Sequence, residues 1–257
     1  MEPFRPTNYP VLILVVSFFV LWGAGWLGTS FRKKKTTFEE PEGADPGLVL
    51  GATLTLLGLI IGFTFSMAIS RYEQRKNYEE AEANAIGTEY VRADLLPAAE
   101  AQKVRTLLVN YTHERILFYL TRSERDLGPV NADTAQLQTE LWSTVVGPAR
   151  SQPNAVTGLV ASGMNDVLNS QGYTQAAWWN RIPPSAWTLM LSIAVCCNVL
   201  IGYCVRRTGA EVVVFLVMTL VVAISFFLIA DIDSPRGGII RVRPQNLESL
   251  AQSFPPR

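Results

Sequence analysis

The chain has 257 residues, of which 49% are apolar and only 17% charged, and its mean hydropathy is positive, so a membrane protein is the first class to test. Lysine plus arginine equals aspartate plus glutamate at 22 each, which leaves no global basic field to draw nucleic acid. The three cysteines, Cys196, Cys197 and Cys204, share one apolar run and form neither a disulfide framework nor a spaced metal site.

Four stretches approach the roughly 20 apolar residues that a helix needs to cross a bilayer. They are residues 11–27, 48–70, 185–205 and 212–230, and none contains Asp, Glu, Lys or Arg. A cleaved signal peptide is the competing reading of the first, since Gly23, Ala24 and Gly25 follow an apolar run. Its leader argues against this, because Arg5 is offset by Glu2. The absence of ionisable residues from all four spans speaks against a proton-coupled transporter.

Residues 1–70 therefore form a first transmembrane pair and 185–230 a second, with 231–257 as a C-terminal tail. The segment 71–184 between the pairs is an extramembrane insert, and its periodicity is helical. Pro97 stands near a helix start, followed by Val104, Leu108, Tyr111 and Phe118 at helical spacing with charges on the other side. A loop is expected around "LGPVNAD". Thr134, Leu137, Leu141 and Val145 mark a further helix closed by Gly147-Pro148, and Val156, Leu159, Val160 and Met164 a weaker one. The fold class is all-α: a membrane protein of four transmembrane helices with a long helical insert between the second and third.

The second span runs without proline into "RYEQRKNYEEAEANAIG", so one helix is expected to continue from membrane into water as far as Leu96. Its Ala81, Ala83 and Ala85 allow close helix approach. Such a rod either packs on the rest of the insert or lines an axial path shared by several subunits.

Little in the chain points to catalysis. His113, the only histidine, has no recognisable nucleophile or ligand partner, and no phosphate-binding glycine loop appears, so an enzyme is not expected. Trp22, Trp26 and Trp187 suit membrane interfaces, and Trp178 with Trp179 suits the return to the bilayer. Asp231 and Asp233 follow the fourth span, where two carboxylates with backbone carbonyls could hold a cation such as calcium. The same "DIDSPRGG" also reads as a turn, with Asp and Ser bonding local backbone. Basic residues near the spans are nearly balanced, with "FRKKK" after span one tilting the insert toward the outside.

Motifs then bring in a resemblance. "IGFTFSMAISRY", with Gly62, Phe63, Arg71 and Tyr72, resembles the second transmembrane helix of bestrophins. "ADIDSPRGG", with Asp231, Asp233, Pro235 and Gly237, is similar to the bestrophin segment in which acidic residues precede Pro-x-Gly. "EANAIGTEYVRADLLP", "NRIPPSAW" and "DIDSPRGGIIRV" together resemble a bacterial bestrophin-like family across nearly the whole chain. This resemblance implies a homo-oligomeric ion channel, a pentamer in bestrophins, in the bacterial inner membrane with the insert and both termini in the cytosol. It implies a pore constriction at Thr55, Leu59 and Phe63 on the second helix, of which Thr55 departs from the apolar pattern. No cofactor is expected; calcium at Asp231 and Asp233 is the one the resemblance raises, since animal bestrophins bind it near an acidic cluster in this region, and the cluster here is much sparser. Inorganic ions, membrane lipid and further copies of the chain are the expected partners. The alternative is a non-conducting membrane scaffold or sensor whose insert binds another protein, with Leu59 and Phe63 packed inside one subunit.

Overall fold

The computed structural model describes residues 6–35, 46–123, 125–204 and 209–255. After a 3-10 turn at Pro6–Asn8 come α1 (Pro10–Lys35), α2 (Pro46–Arg92), a 3-10 turn at Ala93–Leu95, α3 (Ala98–Leu120) and α4 (Leu127–Ser151). They are followed by α5 (Ala155–Trp179), α6 (Pro184–Cys204), α7 (Gly209–Asp233) and α8 (Gln245–Ser253). Among the described residues there is no strand. Among the described residues four helices are long and apolar enough to cross a membrane. The chain divides into two compact units: Met1–Ser70 with Arg181–Ile240, and Arg71–Asn180 with Arg241–Arg257.

In the first unit, glycine lets backbones meet. A Cβ on Gly202 of α6 would land on the carbonyl oxygen of Gly25 in α1, and one on Gly28 would land on that of Val199. Small residues at such crossings are how helices gain contact inside a bilayer, where burial from water gives nothing. One buried polar pair ties α6 to α7: the Thr219 hydroxyl donates to Asn198 Oδ1 at 2.9 Å, and Asn198 Nδ2 donates to the Ala194 carbonyl at 2.9 Å. Trp187 meets Phe226 edge-on, with ring centroids 6.3 Å apart.

The second unit is a helical bundle with a conventional core. Val104, Leu108, Tyr111 and Phe118 of α3 are all fully buried, as their spacing predicts, and Leu141, Val160 and Met164 join them. The expected loop at "LGPVNAD" is instead the opening of α4. Its Pro129 is the third helical residue, where the missing N–H would have had no partner in any case. Gly147-Pro148 does not close that helix either, which runs on to Ser151, with Gln152 N–H donating to the Pro148 carbonyl at 2.9 Å. α5 begins at a capping box: Asn154 Oδ1 accepts from the N–H groups of Val156 and Thr157, both at 2.9 Å. Trp178 is not an interfacial anchor but a core residue against Phe118 and Tyr119. α8 belongs to this bundle too, with Leu247 fully buried and Phe254 against Tyr90 at 4.6 Å between centroids.

α2 is one helix of 47 residues, about 70 Å at 1.5 Å per residue. It stops at Arg92, four residues short of the expected Leu96, and a 3-10 turn leads to Pro97 at the N-cap of α3.

Candidate functional site

The helical repeat of about 100° per residue sorts α2 into two faces with opposite chemistry. One face is exposed along the helix: Thr55, Leu59, Phe63, Ser66 and Ser70, then Glu73, Asn77, Glu80, Asn84, Thr88 and Val91. These positions fall within about 100° of one another around the axis. Leu59 is 54% and Phe63 64% exposed. The three residues expected at a constriction thus share one exposed face, and Thr55 donates its hydroxyl to the Gly51 carbonyl at 2.9 Å. Buried Leu57, Thr64 and Ala68 mark the opposite face in the first unit. α2 buries 11% of its apolar stretch within the chain, against 28% for α1 and α7, so most of its membrane surface must be covered from outside.

The buried face in the second unit carries charge. Arg75, Glu79, Glu82 and Glu89 are all buried there, alongside Ile86 and Ala93. Arg75 donates from Nε to the Ala177 carbonyl and from Nη2 to the Asn180 carbonyl, both at 3.3 Å, placing a cation on the last turn of α5. Glu79 accepts from the N–H groups of Asn246 and Leu247 at 3.0 Å and from Asn246 Nδ2 at 2.6 Å, so it caps α8 from another helix. Burial raises the Glu79 pKa, opposed by those donors.

Glu82 sits at the centre of a polar knot. It accepts from Arg115 Nε at 2.5 Å, Tyr119 hydroxyl at 3.3 Å and Thr174 hydroxyl at 3.1 Å. Burial and then the Glu82 charge push both the Tyr119 and Tyr111 hydroxyls up. Burial works against the Arg115 charge, but Glu82 outweighs it and raises the Arg115 pKa. Arg115 is fully buried on the apolar stripe of α3, while His113, two residues earlier, is exposed. The register carried the signal: Arg115 lies four residues after Tyr111 and three before Phe118, inside the stripe.

Glu89 is fully buried, and neither carboxyl oxygen has a hydrogen-bond partner. It lies against Gly163 of α5, where a Cβ would land on Glu89 Oε2 and on Arg92 Nη1. Burial pushes its pKa up to about 8, with Arg92 opposing and Asp166 reinforcing.

Asp231 and Asp233 do not follow the fourth membrane helix; they form its last turn, where the helix dipole disfavours anions. Backbone N–H groups offset this. Asp231 accepts from Ile239 at 2.7 Å and Ile240 at 2.9 Å, and Asp233 from Ile182 at 3.1 and 3.2 Å. Ser234 Oγ accepts from the Gly237 N–H at 3.2 Å, and a Cβ on Gly238 would land on the Asp231 carbonyl oxygen. Both carboxylates are buried and serve different segments of backbone. Among the described residues no three His, Cys, Asp or Glu side chains converge on one point.

The architecture has solved counterparts. A bestrophin homolog from Klebsiella pneumoniae, phased on zinc, matches with a TM-score of 0.66 and 12% identity over 95% of this chain and 99% of that one. A point mutant of the Klebsiella pneumoniae homolog matches with a TM-score of 0.69 and 10% identity, over 93% and 96% of the two chains. At such identities the likeness speaks for the fold alone. The curated proteins give no match. The sequence itself decides the matter, because the model of the Bestrophin-like domain matches residues 17–247, from inside α1 to inside α8. With four membrane helices, a helical insert and a family model spanning them all, this multi-pass membrane protein belongs to the bestrophin-like family.

Proposed function

We propose that the protein is a homo-oligomeric ion channel whose pore is lined by α2. The exposed face of that helix carries the reading, because it keeps one register while its chemistry changes with position. Within the membrane span it presents Leu59 and Phe63, and Thr55 with its hydroxyl turned back onto its own helix. A narrow ring of such groups gates by excluding water. From Ser70 to Thr88 the face is polar, as a water-filled vestibule requires.

Lipid would cover the apolar part of this face but gives no reason for its continuation in register. The glycines beside it favour another helix instead. Gly51, Gly58 and Gly62 meet nothing within 4 Å of an added Cβ, although glycine costs about 1 kcal/mol relative to alanine inside a helix. Close approach of α2 from neighbouring copies accounts for all three. A closed, non-conducting scaffold would pack Leu59 and Phe63 inside one subunit, and both are exposed. Kinship with bestrophins supports five copies in the bacterial inner membrane, with the insert and both termini cytosolic.

Single-channel recording in planar bilayers tests the reading, comparing wild type with Leu59→Ala/Phe63→Ala. Larger or ungated currents in the double variant are expected. Silence from both proteins, each shown to be a folded oligomer, would refute it and favour the scaffold.

A further inference from the structure

We infer that a cavity at the end of α2 binds a small organic monocation, an ammonium group carried on an apolar body. The cavity lies wholly within the helical bundle, so its ligand is independent of the pore reading. It measures about 530 Å³, within the range of small-molecule sites. Four elements build its wall: the 3-10 turn after α2, the first turn of α3, the last turn of α4 and the start of α5.

Most polar groups in that wall are already bonded. Ser151 Oγ donates to the Pro148 carbonyl at 3.2 Å, the Thr157 hydroxyl donates to the Gln152 carbonyl at 2.8 Å, and Asn154 Oδ1 caps α5. Glu100 differs. It is the third residue of α3, the position from which a glutamate ordinarily reaches back to the N–H of the N-cap residue. Here the N-cap is Pro97, which has no N–H to offer. Among the described residues Glu100 makes no hydrogen bond or ion pair, and it is the one charged side chain in the wall.

The sign of the ligand follows from the charges around it. α3 and α5 present N-termini, each about half a positive charge, and α4 presents a C-terminus of about half a negative one. The N–H groups of Val156 and Thr157 already bond Asn154, which weakens the pull of α5 on an anion. With the full charge of Glu100, the balance is negative by about half a charge or more. The carbonyl groups of the last turn of α4 also lack donors within their own helix. An ammonium, with three donors and no acceptor, suits both Glu100 and such carbonyls. Leu95 and Val156, 44% and 46% exposed, supply apolar surface that a ligand's body would remove from water.

Isothermal titration of the full-length protein in lipid nanodiscs tests this, with empty nanodiscs as the blank. The probes share one shape: tryptamine, the neutral tryptophol and the anion indole-3-acetate. Wild type is expected to bind tryptamine about tenfold more tightly than either of the others. Glu100→Gln is expected to weaken tryptamine by about tenfold, and Val156→Arg to weaken it at least as much by setting a cation at the rim. Neither side chain is buried, so melting temperatures equal to wild type are expected of both variants. Tryptamine binding that is absent, no tighter than that of tryptophol, or unchanged in either variant would overturn the site. A preference for indole-3-acetate would overturn it too, by giving the cavity to an anion held on the N–H groups of α3.

Discussion

Glu89→Gln should make the protein more stable, and by an amount that grows with pH. Glutamine keeps the shape of the buried side chain but cannot ionise. In the folded protein the Glu89 carboxyl keeps its proton up to about pH 8, whereas in the unfolded chain it releases it near 4.5. Below that lower value both states are protonated and Glu89 is no liability. As pH rises from about 4.5 to about 8, the unfolded state sheds the proton first, so wild-type stability falls by about 1.4 kcal/mol per pH unit. The accumulated loss is about 3 kcal/mol at neutral pH and levels off above pH 8. For a chain of this size that is roughly 6–12 °C in melting temperature. Tryptophan-fluorescence melting in detergent across this pH range measures it, with the gap between variant and wild type as the readout. A gap that stays constant with pH would mean that Arg92 swings round to pair with an ionised Glu89, and the reasoning would fail.

Other perturbations follow from the same interior. Glu82→Gln should cost about 3–5 kcal/mol by stranding the buried Arg115 charge, whereas Glu82→Leu with Arg115→Met should recover most of it; thermal melting of the three proteins checks this, and a single-variant loss under about 1 kcal/mol would contradict a buried pair. Gly202→Ala should cost about 1–3 kcal/mol, because its Cβ lands on the Gly25 carbonyl and α1 and α6 must separate; melting temperature and recovery of folded protein from membranes report it. Calcium added to the purified protein should leave its melting temperature unchanged, since Asp231 and Asp233 already accept backbone N–H groups; a rise on addition that chelator reverses would instead reveal a cation at those carboxylates.

The membrane spans were legible because a bilayer imposes its demand locally: a long apolar run with no charge has few other uses. The long reach of α2 was legible for a similar reason, since neither proline nor a turn sequence interrupts it. The exposed positions of Thr55, Leu59 and Phe63 could be named only through resemblance, because a helix that is apolar all round does not announce which side its own subunit covers. Beyond the span the difficulty reverses. Charge in a helix ordinarily marks the solvent side, yet Arg75, Glu79, Glu82 and Arg115 point inward, each with a partner far away in sequence. Nothing local to Glu82 indicates Arg115, and nothing local to Glu79 indicates Asn246. The start of α4 misled for the opposite reason, because Gly128 and Pro129 make a turn-like dipeptide that is also acceptable in the first turn of a helix.

The cap that Glu79 places on α8 also has a consequence in time. Asn246 lies 167 residues after Glu79, so the ribosome makes both later membrane helices before the donors for that carboxylate exist. At about 5–20 residues per second the wait is roughly 8–30 s. Throughout it the helical bundle lacks one wall, with the site of Leu247 open and the Glu79 carboxylate still in water. The residues of α8 therefore finish a unit begun at Arg71. A ribosome that stops before α8 would release a chain with its spans complete and its bundle open, a form for quality-control proteases to remove.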